Sequence, residues 1–244
     1  MVKQDEWYKD WFNSPYYHIL YQNRDREEAS RFINNLVSYL EPAHNASFLD
    51  LACGKGRHAL QLARKGYRVI GVDIAPDNIR EAAQYESDNL SFFVWDMRKP
   101  VRADYFDYVL NLFTSFGYFD DEGNCQTLRA LETSLQQQGI FVIDYLNTTK
   151  ATQNFTPEED IRLDGIDFHL ERELQGNYIT KTITVVDQDI EHVFQESVKT
   201  LRLKDFQRYF DRTGFEMINC FGDYDLNTYD ELTSDRLILI ARKP

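Results

Sequence analysis

Through the middle of the chain, short apolar runs that end in an acidic residue alternate with amphipathic stretches, the pattern of buried strands separated by covering helices. The spacing predicts a strand near 47–53, a helix over 57–65 closed by Gly66, a strand over 67–73 and a helix over 76–86 begun by Pro76. Strands over 90–95 and 106–113 follow. A helix begun by Asp120 and Asp121 then carries Leu128, Leu131 and Leu135, and Gly139 to Leu146 supplies the fifth strand. Strands and helices in this alternation form a doubly wound α/β sheet, because parallel neighbours need a crossover between them.

The two ends depart from that rhythm. Near the N-terminus, Trp7 with Trp11 and Tyr8 with Phe12 have the i,i+4 spacing of helical packing, and Tyr16, Tyr17 and Tyr21 follow. Asp25 and Glu28 resemble a capping box for a helix that buries Phe32, Ile33, Leu36, Val37 and Leu40 and stops before Pro42. Beyond Leu146 the period changes from helical to alternating. Phe168, Leu170 and Leu174 interleave with charged residues, Gly176-Asn177 offers a two-residue hairpin turn into Tyr178 to Val186, and a third strand runs from Glu191 to Leu201. Thr148 to Gly165, with Pro157 and clustered acids, is the best candidate for a mobile loop. The core resumes with a helix bearing Leu203, Phe206, Tyr209 and Phe210, stopped at Gly214, then strands over 215–221 and 237–241. No crossover helix separates those last two, so the final strand is expected to run antiparallel. The expected organisation is an N-terminal helical lid (1–46), a core from 47–146 and 203–244, and an inserted antiparallel sheet (147–202) that is either a roof over substrate or a dimer contact.

Composition narrows the possibilities. With 244 residues, 43% of them hydrophobic, the chain can bury one sizeable core. A net charge of −13 discourages nucleic acid and anionic membranes as partners, since each phosphate approached adds repulsion. Cys53, Cys125 and Cys220 are scattered with no C-x-x-C pair, which argues for a reducing compartment and against structural zinc; no metal is expected. An acidic N-terminus without an apolar stretch, and no run long enough to span a bilayer, give a cytoplasmic expectation.

The candidate chemistry lies at the strand ends. Phe48 to His58 reads as a strand ending at Asp50, followed by a turn with Gly54 and Gly56 into a helix, so a ligand can approach bare backbone there. With Ala59 the glycines also fit the dinucleotide fingerprint G-x-G-x-x-A. Asp50 weighs against a pyrophosphate at that turn, which its carboxylate would repel, and in favour of S-adenosylmethionine (SAM), whose sulfonium and ammonium are cationic. Asp73 ends the second strand, where its two oxygens can accept both ribose hydroxyls of either cofactor. Asp96 and Met97 follow the third, placed to accept from an adenine amino group and to cover its ring. A purely structural reading has Asp50 cap the turn and Asp73 cap the helix begun by Pro76.

On these residues the segment 48–114 resembles the cofactor half of a class I SAM-dependent methyltransferase. The resemblance implies a Rossmann-like doubly wound sheet of seven strands in the order third, second, first, fourth, fifth, seventh, sixth, with a reversed final hairpin. It also implies a SAM-binding set of Asp50, Ala52, Gly54, Gly56, Asp73, Ile74, Asp96, Met97 and Asn111. Tyr17-His18-Ile19-Leu20-Tyr21 resembles the N-terminal segment of small-molecule N-methyltransferases of the sugar-amine and glycine type, where tyrosines close over the methionine end of SAM; Tyr17 and Tyr21 are the matching positions.

In-line transfer from a sulfonium mainly requires alignment, so a missing base is no objection. Asn111 to Phe119 lacks both the Asn-Pro-Pro-Tyr run of enzymes methylating base or glutamine amino groups and the Pro-Cys pair of cytosine C5 enzymes. Tyr118 is a candidate to orient a nucleophile or surround a cationic amine, and His18 is a candidate base. The expected function is methyl transfer to a small molecule, nitrogen favoured over oxygen. Protein or RNA methylation, SAM binding without turnover and dinucleotide chemistry remain the alternatives.

Overall fold

A computed structural model of the chain describes residues 6–22, 26–153 and 155–244. Two six-residue helices, α1 (Trp7–Phe12) and α2 (Pro15–Leu20), lead into α3 (Arg26–Leu40). Then come β1 (Ser47–Leu51), α4 (Arg57–Arg64), β2 (Arg68–Asp73), α5 (Pro76–Ala82), β3 (Leu90–Val94), β4 (Phe106–Asn111), α6 (Asp121–Ser134) and β5 (Leu135–Leu146). Next are α7 (Thr148–Gln153), β6 (Glu158–Leu163), β7 (Ile166–Gln175), β8 (Tyr178–Asp187) and β9 (Ile190–Lys199). The chain closes with α8 (Leu203–Thr213), β10 (Glu216–Phe221) and β11 (Arg236–Arg242).

Seven strands form one sheet in the order β10-β11-β5-β4-β1-β2-β3. The five from β1 to β5 are parallel, and β11 runs antiparallel to both β5 and β10, which gives the expected seven-stranded order with its reversed ending. β1 is buried along its whole length because helices cover both faces of the sheet. Phe32, Ile33 and Leu36 of α3, Ala59 and Leu62 of α4 and Ile79 of α5 fill one side. Leu128 and Leu131 of α6 with Phe206, Tyr209 and Phe210 of α8 fill the other.

Local chemistry sets the boundaries. Asp120 caps α6 by accepting from Gly123 N at 2.8 Å. α8 ends at Gly214 in the left-handed region. Asp25, the first member of the expected capping box, lies outside the described residues. β4 stops at Asn111 instead of Phe113, because Phe113 and Thr114 turn away with φ of 66° and 59°.

The insert has four strands, β6-β7-β8-β9, where three were expected. The extra one, β6, falls with α7 in the segment expected to be a mobile loop. β6 pairs only with β7, and such an edge carries charges such as Glu158, Glu159 and Asp160 in place of an apolar alternation. The inner face of this sheet presents Phe168, Leu170, Ile183 and Val185 to Trp11 and to the aromatic residues of α1 and α2. The N-terminal helices therefore lie between the inserted sheet and the carboxyl ends of β1 to β4. No described helix is long and apolar enough to cross a membrane.

Candidate active site

The crevice opens where β1, β2 and β3 end. After β1, Ala52 at φ 57°, Gly54 at φ 56° and Gly56 at φ 78° bend the chain into α4. The glycines serve different needs: a Cβ on Gly54 would meet open space in the crevice, whereas one on Gly56 would strike the Phe92 ring at 2.6 Å. Asp50 is buried, and its Oδ2 accepts from Ala59 N in the first turn of α4 at 3.0 Å. Burial pushes its pKa from 3.8 up to about 7, with the Ala59 bond and Arg57 pulling the other way.

Asp73 holds the turn to its own strand end. Its Oδ2 accepts from Gly54 N and its Oδ1 from Ala75 N, both at 2.8 Å, while Asn78 Nδ2 approaches Oδ1 at 3.4 Å. Burial raises its pKa against the pull of these bonds. With one donor on Oδ2 and two on Oδ1, the free acceptor capacity expected for both ribose hydroxyls is greater on Oδ2, and Oδ1 is shared with the Asn78 amide. Asp96 faces the same crevice but is clamped by Arg98, whose Nε and Nη2 reach its two oxygens at 3.0 and 2.7 Å. Burial acts upward on Asp96, and the Arg98 bonds outweigh it to leave the pKa below the usual carboxylate value.

Three cavities meet at Tyr17. The first, of about 70 Å³, is bounded by Ala52, Gly54, Asp73, Ile74, Asp96 and Met97 and covered by Tyr8 and Phe12. The second, of about 270 Å³, puts Asp50 together with Lys55, Arg57, His58 and His18. The third, of about 460 Å³, lies under the inserted sheet, with Glu159, Arg172, Lys181, Glu196 and Arg236 on its walls. Tyr118 lines the first and third, and Tyr21 and Phe113 the second and third.

The residues read from sequence thus divide. Tyr17, Ala52, Gly54, Asp73, Ile74, Asp96, Met97 and Tyr118 converge on the first cavity, and Asp50, His18 and Tyr21 on the second. Gly56 and Asn111 line none of the three. Gly56 is taken up by its closeness to Phe92. Asn111 is buried beneath the turn, donating to Leu51 O at 3.2 Å and Ser115 O at 3.1 Å, with its Oδ1 unpartnered among the described residues. His18 bonds Asn78 Oδ1 through Nε2 at 2.7 Å, away from the third cavity, and burial followed by the nearby Lys55 lowers its pKa. The Tyr118 phenol donates to Thr114 O at 2.7 Å, and burial drives its pKa well above the usual tyrosine value. That geometry suits Tyr118 as a wall and not as a base. Sequence reading passed over Tyr8, Phe12, Asn78 and Trp95 in the first cavity and every charged residue of the third.

Acidic ends on successive parallel strands, a glycine turn into α4 and the reversed final hairpin define a class I SAM-dependent methyltransferase. Residues 48–139 match the family described as methyltransferase domain, and the chain is a SAM-dependent methyltransferase whose cofactor is S-adenosylmethionine. YqeM of Bacillus subtilis (strain 168), whose own assignment as a methyltransferase is provisional, is 26% identical over 207 residues, 80% of this chain and 83% of that protein. The crystal structure of a SAM-dependent methyltransferase from Clostridium acetobutylicum ATCC 824 superposes with a TM-score of 0.77 at 17% identity, covering 93% of this chain and 95% of that one. The sugar N-methyltransferase KedS8 from Streptoalloteichus sp ATCC 53650 does so with a TM-score of 0.69 at 18% identity, covering 92% of each chain.

Proposed function

We propose that the protein methylates a small molecule, with nitrogen favoured over oxygen. The observation that carries this reading is the third cavity: about 460 Å³, roofed by the inserted sheet and joined to the cofactor crevice at Tyr17 and Tyr118. A space of that size suits a small acceptor. The likeness in fold to a sugar N-methyltransferase supports nitrogen as the target.

The donor set fits the cofactor part by part. The second cavity carries a carboxylate, Asp50, and two cations, Lys55 and Arg57, which complements the ammonium and carboxylate of the methionine end. In the first, Asp73 would receive the ribose hydroxyls, with Asp96 and Met97 at the adenine. SAM supplies an activated methyl group, and the tyrosines at 17, 21 and 118 would align the acceptor with it, the step where orientation is worth about 7 to 11 kcal/mol. The helices α1 and α2 would act as the lid over both ligands.

The test is release of S-adenosylhomocysteine from SAM in the presence of amine and alcohol panels. Turnover with amines supports the reading, turnover only with alcohols moves the target to oxygen, and turnover only with structured RNA or protein overturns it. In the same preparation Asp73→Ala should weaken S-adenosylhomocysteine binding at least a hundredfold with the fold retained. Unchanged affinity in a calorimetric titration would remove Asp73 from the ribose site.

A further inference from the structure

The charges of the third cavity form one connected set. Lys181 Nζ donates to Tyr21 Oη at 2.6 Å, Tyr21 Oη donates to Glu196 Oε2 at 2.7 Å, and Lys181 Nζ lies 3.0 Å from the same carboxylate. Tyr21 directly follows α2, and Lys181 of β8 and Glu196 of β9 are directly opposite in the antiparallel ladder. Both charged side chains are about one-sixth exposed, so they meet the cavity without being open to bulk water. Tyr21 also lines the second cavity, next to Tyr17.

An amine acceptor needs a proton acceptor at this place. A primary ammonium with a pKa near that of lysine is only about 0.04% neutral at pH 7, and nitrogen cannot attack until its lone pair is free. The two candidates legible in sequence do not serve: His18 lies outside the cavity, and the Tyr118 phenol is bonded to Thr114 O. Of the two carboxylates on the cavity wall, Glu159 is gripped by Arg172 at 2.5 Å and sits on the edge strand β6. Glu196 is the one linked to Tyr21, where the second and third cavities join. Each lining cation has a carboxylate partner, Arg172 in Glu159, Lys181 in Glu196 and Arg236 in Asp144, so the wall adds no net positive field and the ammonium must give its proton to a group on that wall.

Building on the nitrogen reading above, we propose that Glu196, held by Lys181 and Tyr21, is the catalytic proton acceptor for the amine. A proton passes from the ammonium to the Glu196 carboxylate, leaving R–NH2 and a neutral carboxyl. The nitrogen lone pair then forms the N–CH3 bond as the C–S bond breaks, giving R–NH2–CH3 as the cation and S-adenosylhomocysteine. Glu196 afterwards returns its proton to water through the Tyr21 hydroxyl. Tyr17, Tyr118, Glu159, Arg172 and Arg236 are the other titratable groups around this step, and the same cavity wall holds them all.

The experiment uses the full chain and a primary amine that the wild type methylates. Glu196→Gln should lower kcat/KM about a hundredfold at pH 7, and the loss should shrink steadily as pH rises toward the pKa of the amine, where the neutral form is supplied by solvent. Affinity of the same amine for the S-adenosylhomocysteine complex should follow the same pH course, and S-adenosylhomocysteine affinity should stay within threefold. Glu196→Asp, which keeps the charge beside Lys181, should give a smaller loss with the same pH shape and serves if the glutamine variant does not fold. A loss that is constant with pH, or no loss, overturns the proposal while leaving amine methylation intact. A wild type that methylates no amine overturns both.

Discussion

Asp50 is 1% exposed at the edge of the second cavity, and its backbone bond to Ala59 N does not offset the burial. The folded pKa of about 7 stands above the ordinary 3.8, so between those values the folded protein binds more protons than the unfolded chain. Stability therefore falls as pH rises through that window, by roughly 4 kcal/mol in full. Asp50→Asn, which can still accept from Ala59 N, should flatten the dependence of unfolding free energy on pH between 4 and 8 and make the ligand-free protein more stable than wild type at pH 8. The same change should weaken S-adenosylhomocysteine binding, because the methionine ammonium loses its counter-charge. In wild type that ammonium draws the carboxylate back to its ionised form, so binding at pH 6 should release a proton, seen as a heat that depends on the buffer. A variant with unchanged pH dependence would assign the slope to another group.

At the scale of elements, the wall between the two ligand spaces depends on a network that ties the loop after β4 to β5 and β11. Asp144 at the end of β5 is 1% exposed, and its Oδ2 accepts from Phe113 N at 2.8 Å and from Tyr224 Oη at 3.1 Å. Its Oδ1 takes Arg236 Nε at 2.7 Å, and Arg236 Nη2 reaches Thr114 Oγ1 at 2.9 Å. Phe113 and Thr114 are both left-handed, a conformation costing about 1–3 kcal/mol per residue for such side chains and held only by its surroundings. Asp144→Ala leaves the half-buried Arg236 guanidinium without its carboxylate and Phe113 N without its acceptor, and should cost about 2–3 kcal/mol in denaturant unfolding, below the value for a fully buried pair because Arg236 meets the third cavity. The double variant Asp144→Ala, Arg236→Met removes both charges and should recover a large part of that loss. Equal losses in the single and double variants would mean that the charge pair is not what holds the loop.

The resemblance implies that β5 and β11 are neighbours, but the network was not legible in the chain, because the expected fourth strand runs on to Phe113 and the expected last strand begins at 237, which leaves the left-handed turn and Arg236 out of the reading. The core itself was legible: apolar runs ending in Asp50 and Asp73 are what strands buried on both faces require. The charged row of the third cavity was legible in principle. A two-residue turn at Gly176-Asn177 puts Arg172 opposite Lys181, and a second at Gln188-Asp189 puts Lys181 opposite Glu196. The first turn was read, but carrying its register across to the next strand was the missing step.

For the molecule as a whole, the N-terminal helices are the part that touches everything. Asn13 bonds Asp77 N at 3.0 Å and His18 bonds Asn78 at 2.7 Å on the crevice side, while Tyr16 Oη reaches Asp187 at 3.1 Å and Trp11 lies against Phe194 on the sheet side. Helices of six residues do not persist by themselves, so α1 and α2 exist because both sides hold them. Trp11 is the largest of the fully buried side chains and the centre of the smaller core under the inserted sheet. Removing a buried tryptophan from a single cooperative unit costs about 3–5 kcal/mol. Because the seven-stranded core has its own two apolar layers, Trp11→Ala should instead release the N-terminal segment locally. Global unfolding free energy should then fall by less than that full amount, protease cleavage within 6–22 should accelerate, and S-adenosylhomocysteine affinity should drop about tenfold as Tyr17 loses the Trp11 ring from its packing. If global stability falls by the full 3–5 kcal/mol while the segment stays protected, the N-terminal helices belong to the cooperative core and cannot move as a lid over the cofactor.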